Sequence, residues 1–447
     1  MRRLVGTIGM VLGLAGAACG GGEDGGGAAA SGGAGGASGA SGASSGGAAA
    51  GGASGAATGG ASGAAGAGGA ATGGAGGAGG GAGAGGGQAG AGAGGGGGLP
   101  ETQACSGQSM LQSPEDPAAR GPWPVGSRLI DVGGLTAEVW YPATPGSEAG
   151  KAEVRYDPRE WLPASEQSKI PDADNPYFSC DGCYRDLPLD TAHGPYPVVI
   201  FVHGTGAFRA QSIEPVVHWA SRGFVVLAAD HPGLYLGDLL SFQLQQNLSG
   251  DIIQLFGGLN PPAGDLAFLA GRLDLAHMGM SGHSAGGGAI ANQGSRPGVL
   301  VLMPLAARGV AAGSSLVSTL VMGGMSDGVA QYSGQVSGYD SSPTKKRLVG
   351  ITDAGHLAFS NLCEYKNSQG KDFVEVAQQY QIQNANLASF LWDGCDPTDT
   401  PEAESMNIVR FATTAVLEET LLCYDRAAAL AGIEARYPLV GEYREAL

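Results

Sequence analysis

Between about residue 125 and residue 352 the chain alternates short apolar runs with amphipathic or polar stretches. RLIDV and LTAEVWYPA flank Gly133-Gly134 and alternate apolar with polar side chains, which predicts an antiparallel hairpin. PVVIFV (197–202) is apolar throughout, as a strand covered on both faces must be. FVVLAA (224–229), LDLAHMGM (273–280), VLVLMPL (299–305), LVSTLVM (316–322) and RLVGIT (347–352) follow with helix candidates between them, and a last helix is predicted over about 404–431. Strands alternating with helices through short turns predict an α/β fold, a mostly parallel central sheet with helices on both faces and an N-terminal antiparallel hairpin. In such sheets the chemistry sits at the carboxyl ends of the strands. Residues 145–195, rich in Pro, Asp and Ser, read as a long insertion.

Composition divides the chain. Of 84 glycines, 45 fall in residues 1–100. MRRLVGTIGMVLGLAGAACG has two arginines, an apolar run from Leu4 to Leu14 and a small-residue patch ending at Cys19, so residues 1–19 are expected to be an export signal. Its end resembles the lipobox of bacterial lipoproteins, with Gly16 where that family prefers Leu; the resemblance implies lipidation at Cys19, and the competing reading is plain secretion after an A-x-A cleavage. Residues 20–100 are almost wholly Gly, Ala, Ser and Thr and cannot bury enough apolar area to offset backbone entropy. They are expected to form a disordered linker with a reach of roughly 50 Å. Residues 101–447 then form the folding unit, and they carry the whole net charge of −17. That surface repels phosphate backbones and excludes nucleic acid as a partner.

Cys105, Cys180, Cys183, Cys363, Cys395 and Cys423 all lie in the folding unit, and in an exported protein they predict up to three disulfides among 15 connectivities. CDGC (180–183) lacks a second ligand pair at zinc-site spacing, so a disulfide is favoured there over a metal.

The pattern GxSxG occurs around Ser44, Ser284 and Ser326. A nucleophilic serine on a tight strand-to-helix turn needs a strand before it and small residues after it. Ser44 lies in the linker. Ser326 follows an apolar run, but DGVAQYSG is a poor helix start. Only Ser284, between LDLAHMGMSGH and AGGGAIANQ, has both halves of the context. A serine hydroxyl needs an imidazole to take its proton, and His356 is the one histidine downstream of Ser284. Asp327, Asp340 and Asp353 are the carboxylates between them. Asp327 is favoured because it directly follows LVSTLVMGGMS at a strand's carboxyl end. Oxyanion donors are expected at the N–H of Ala285, beside the nucleophile, and of Thr205 in HGTG after the PVVIFV strand.

Together EVWYPA (138–143), VVIFVHGTG (198–206), VVLAADHPG (225–233), GMSGHSAGG (279–287), Asp327 and GHLAF around His356 resemble the α/β-hydrolase superfamily. They are most similar to its dienelactone hydrolase-like and platelet-activating factor acetylhydrolase-like esterases, over about residues 125–430. The resemblance implies an α/β-hydrolase fold with Ser284 as nucleophile, Asp327 as acid, His356 as base, Thr205 and Ala285 as oxyanion donors, and insertions at 145–195 and 361–403. It implies ester cleavage through an acyl-enzyme with no cofactor and no metal. The expected partner is a small-molecule or lipid-like ester, and the expected location the cell envelope, with membrane contact only through Cys19. A peptidase or amidase on the same scaffold and a catalytically idle surface-binding protein are the competing readings. His203, His231 and His283 read as structural. The Leu-rich segment 232–273 reads either as a pocket wall or lid or as a surface helix with its apolar side inward.

Overall fold

The computed structural model describes residues 99–105, 107–343, 345–388 and 392–447. The export signal, Cys19 and nearly all of the expected linker lie outside the described residues. Ten strands form the main sheet: β1 Val125–Val132, β2 Leu135–Pro142, β3 Cys183–Arg185, β4 Tyr196–Val202, β5 Val225–Ala229, β6 Leu273–His283, β7 Val299–Leu305, β8 Ser318–Gly324, β9 Lys346–Ile351 and β10 Val440–Ala446. Their order is β10-β9-β8-β7-β6-β4-β5-β2-β1-β3. The six central strands β5, β4, β6, β7, β8 and β9 run parallel. β2 joins β5 antiparallel and pairs with β1 in the expected hairpin. The two-residue turn of that hairpin has φ of 63° at Gly133 and 96° at Gly134, which suits the twist of the flanking strands and excludes most side chains.

Every residue of β4, β5 and β8 is buried, as their unbroken apolar runs predict for strands covered on both sides. The main helices are α1 Ile213–Ser221, α2 Leu248–Leu259, α3 Ala285–Ile290, α4 Tyr332–Ser341 and α5 Glu402–Leu421. Strand alternation sends neighbouring residues of β8 to opposite faces. Val321, with Leu348 of β9, packs on Tyr339 and Val336 of α4. Leu320 and Met322 join the large core that includes Met406, Val409 and Leu417 of α5. α1 and α5 are joined by Trp219 Nε1 donating to Thr413 Oγ1 (3.1 Å) and by the fully buried pair of Arg222 and Glu418 (2.6 Å).

Two expectations are corrected. The last helix ends at Leu421 instead of running to 431: Cys423 takes φ of 59° and is bonded to Cys105, and separate short helices follow at Ala427–Ala431 and Ile433–Arg436. DGVAQYSG does lead into a helix, since α4 begins at Tyr332. The sequence pattern also missed β10, a charged edge strand antiparallel to β9. Charges on such an edge discourage pairing with other chains. The other disulfides are Cys180–Cys183, which occupies both thiols of CDGC, and Cys363–Cys395.

Candidate active site

β6 delivers Ser284 to the carboxyl edge of the sheet and α3 begins at the next residue. Ser284 has φ 55° and ψ −119°, a conformation that side chains other than glycine rarely adopt. Two features hold it there. Its N–H donates to Leu305 O (2.9 Å), and α3 sits so close to β4 that a Cβ on Gly286 would lie 2.1 Å from Val202 O. The small residues after Ser284 are therefore a packing requirement of the turn.

The loop that carries His356 follows β9 and the loop that carries Asp327 follows β8, so the two are neighbours in the sheet. His356 Nδ1 lies 2.9 Å from Asp327 Oδ2, with both side chains buried. The other oxygen of Asp327 accepts the N–H groups of Val329 (2.9 Å) and Ala330 (2.7 Å), and Gln335 Nε2 donates to Oδ2 (3.3 Å). The carboxylate is thus fixed from its own loop before it meets the imidazole. Asp340 lies on α4 facing Arg444 (3.8 Å), and Asp353, with φ of 51°, offers its main-chain oxygen to Thr400 N (2.9 Å). Ser284, His356, Thr205 and His283 open on one cavity, completed by Gly206, Ala207, Leu357, Leu362 and Trp392.

In the HGTG loop, Gly204 N donates to Gln211 Oε1 (2.8 Å) and Gly206 N to Leu234 O (2.8 Å). Thr205 N has no hydrogen bond among the described residues. Neither has Ala285 N, which as the first N–H of α3 has no intrahelical acceptor. Buried His203 braces this loop: its Nδ1 donates to Gly204 O (2.8 Å) and its Nε2 accepts His231 N (3.0 Å). Burial, reinforced by His231, holds its pKa well below the ordinary value, so the ring is neutral as those bonds require. His231 Nδ1 in turn meets Asp251 of α2 (3.0 Å). Asp230 accepts from Arg209 N (2.8 Å) and Trp161 Nε1 (3.0 Å) and pairs with the Arg209 guanidinium, fixing the far end of the loop to β5.

A second, apolar cavity shares Gly206, Leu362 and Trp392 with the first and is lined further by Leu162, Phe208, Leu240 and Phe373 among others. Leu162 comes from 145–195 and Phe373 from 361–403. The segment 232–273 divides between its two readings. Leu236 and Leu240 line this cavity, whereas α2 turns Ile252, Leu255 and Leu259 inward and ties to the hairpin through Gln254 Nε2 and Val132 O (2.7 Å). Sequence reading missed Gln211 and Trp392, for neither carries a motif; only the fold brings them to the site.

Sheet order, the strand-to-helix turn and the position of the site at the strand ends are those of the α/β-hydrolase fold. Residues 178–233, from the end of the first insertion through the HGTG loop to DHPG, match the family described as platelet-activating factor acetylhydrolase, isoform II. A bis(hydroxyethyl) terephthalate hydrolase of Streptomyces coelicolor is 26% identical over 307 residues, covering 63% of this chain and 91% of that protein. A solved ferulic acid esterase from Streptomyces cinnamoneus aligns over 69% of this chain and 93% of its own, at 16% identity and a TM-score of 0.45. The chain is thus similar to esterases of this architecture, and over residues 178–233 to the platelet-activating factor acetylhydrolase family.

Proposed function

We propose that this chain is an exported serine esterase that cleaves carboxylic esters with one apolar side. Ser284 is the nucleophile, His356 the general base, Asp327 the acid that orients it, and the N–H groups of Thr205 and Ala285 the oxyanion donors. The observation that carries the reading is the shared cavity: Ser284, Thr205 and a His356 already bonded to Asp327 open onto one space. The relative named for hydrolysing a terephthalate ester supports the reaction class. The apolar side chains lining the cavity that adjoins the site favour an uncharged group next to the scissile bond over a charged one.

With His356 Nδ1–H donating to Asp327, Nε2 is the nitrogen left to act as base. It takes the Oγ proton of Ser284 as Oγ bonds to the carbonyl carbon. The displaced electron pair becomes an oxyanion met by the two N–H groups. Collapse of that intermediate breaks the ester C–O bond, and the imidazolium protonates the departing alcohol. Water, deprotonated by the same nitrogen, then attacks the acyl carbon; the bond to Oγ breaks, the imidazolium returns its proton to Ser284, and the carboxylic acid leaves.

Export is supported by the leader and by three disulfides, which persist in oxidising compartments. Residues 20–100 would serve as a spacer between a lipid anchor at Cys19 and the enzyme. Labelling of the full chain by a palmitate analogue, lost in Cys19→Ala, is the check on that anchor.

For the chemistry, a fluorophosphonate probe should label the wild-type protein and not Ser284→Ala. Turnover of p-nitrophenyl esters should fall at least about 1,000-fold in that variant. Matched esters and amides separate esterase from peptidase, and uncharged acyl groups should be preferred over carboxylated ones of equal size. A folded wild-type protein inert to both probe and esters would instead sustain an idle binding module.

A further inference from the structure

Asp393 belongs to the second insertion and lies outside every motif that marks the site. One of its carboxylate oxygens, Oδ2, accepts the N–H of His356 (2.8 Å) and the N–H of Gly328 (3.0 Å), the residue after Asp327. Its main-chain oxygen accepts Leu357 N (2.8 Å). We infer that Asp393 is a positioning residue that locks the base loop to the acid loop, an inference that rests on the functional reading above.

The need for such a lock follows from the loops themselves. Main-chain bonds from Met325 N to Ile351 O (2.9 Å) and from Ser326 N to Ala354 O (3.0 Å) hold their bases together. Those bonds stop one residue short of Asp327 and two short of His356. Beyond them the two side chains meet through the His356–Asp327 contact, Asp327 being held from its own loop and α4 and His356 by the bond of His283 Nε2 to its main-chain oxygen (2.9 Å). Asp393 adds a direct tie between the loops, one carboxylate oxygen accepting the N–H of His356 itself and the N–H of Gly328, next to Asp327.

The strut is itself anchored. Cys395, two residues on, is bonded to Cys363, seven residues after His356. Trp392 Nε1 donates to Asp372 Oδ2 (3.0 Å). Gly394 lies so close to the base loop that a Cβ on Gly355 would be 2.4 Å from its Cα. Trp392 also walls the site cavity, so the segment that shapes the pocket also sets the base.

The test compares Asp393→Ala with Asp393→Asn, whose amide oxygen can accept both N–H groups. Turnover is referred to active sites titrated with the fluorophosphonate probe, so that loss of folded protein does not count as loss of rate. Asp393→Ala is expected to lower kcat about 10- to 100-fold, the scale of losses from slight misplacement of a reacting group, with KM within about twofold. Asp393→Asn is expected to stay within about threefold of wild type. If Asp393→Ala does not fold, Asp393→Ser, too short to reach either N–H, is read in the same way. Wild-type kcat per titrated site in the Ala or Ser variant, or an Asn variant as impaired as either, overturns the inference. Ser284→Ala in parallel keeps the two levels apart: turnover there would sink the reading of the site itself.

Discussion

His283, the residue before Ser284, donates its Nε2–H to the main-chain oxygen of His356 at 2.9 Å. A ring on β6 thereby holds the main-chain oxygen of His356, whose N–H is held by Asp393. The bond requires the neutral tautomer, because Nδ1 is buried with no partner among the described residues. Burial, with the nearby His356 adding to it, pushes the His283 pKa down to about 3.

His203 and His218 are buried neutral as well, His218 with its pKa lowered to about 3 by burial. A ring whose folded pKa lies below its unfolded value of about 6.5 contributes stability that is present above that value and lost as pH falls toward the folded pKa. Each such ring should cost about 1.4 kcal/mol per pH unit below about 6. Urea midpoints measured from pH 7 down to pH 4.5 should therefore fall steadily. A flat profile would rule out neutral buried rings.

Asp327→Asn keeps the shape of the side chain but presents either an N–H or a neutral oxygen to His356. The imidazole then loses the charge that stabilises its protonated form and the partner that fixes its tautomer. Turnover is expected to drop about 1,000- to 10,000-fold with little change in thermal midpoint. Stopped-assay rates on a p-nitrophenyl ester decide the point.

Gly286 and Gly288 lie two residues apart on α3 and should respond oppositely to alanine. At Gly286 the methyl group would meet backbone oxygens of Val202 and His203 at 2.1 and 2.6 Å, so the variant should lose more than about 3 kcal/mol or fail to fold. At Gly288 nothing lies within 4 Å, and the substitution should stabilise by about 0.5–1 kcal/mol through helix propensity. Denaturant titrations of both variants provide the comparison.

The Cys363–Cys395 disulfide closes a loop of 32 residues that contains Trp392 and Asp393. Replacing both cysteines by serine should cost about 2–4 kcal/mol. It should also lower kcat with the same unchanged KM as Asp393→Ala, because the strut loses its anchor. A double variant with lowered stability but full kcat per titrated site would show that the disulfide acts on folding alone.

Much of this was legible before any fold was known. Apolar runs covered on both faces gave β4, β5, β7, β8 and β9 to within a residue or two, since a strand buried on both sides has little freedom in composition. β10 escaped because its charged side chains carry no such mark and its place depends on the free edge of β9. The C-terminal helix was drawn too long because nothing local in LLCYDRAAALAG forbids a helix; the bond from Cys423 to Cys105 ends it.

The site divides in the same way. Ser284, His356 and Asp327 could be proposed from the sequence because a nucleophile, a base and an acid need particular residue types at particular places along the chain, and those needs are local. Which cysteines pair, that Asp327 Oδ2 lies 2.9 Å from His356 Nδ1, and that Gln211, His283 and Asp393 bond to the loops around them could come only from the tertiary structure. Hydrogen bonds between segments tens of residues apart depend on distances that chain order does not encode.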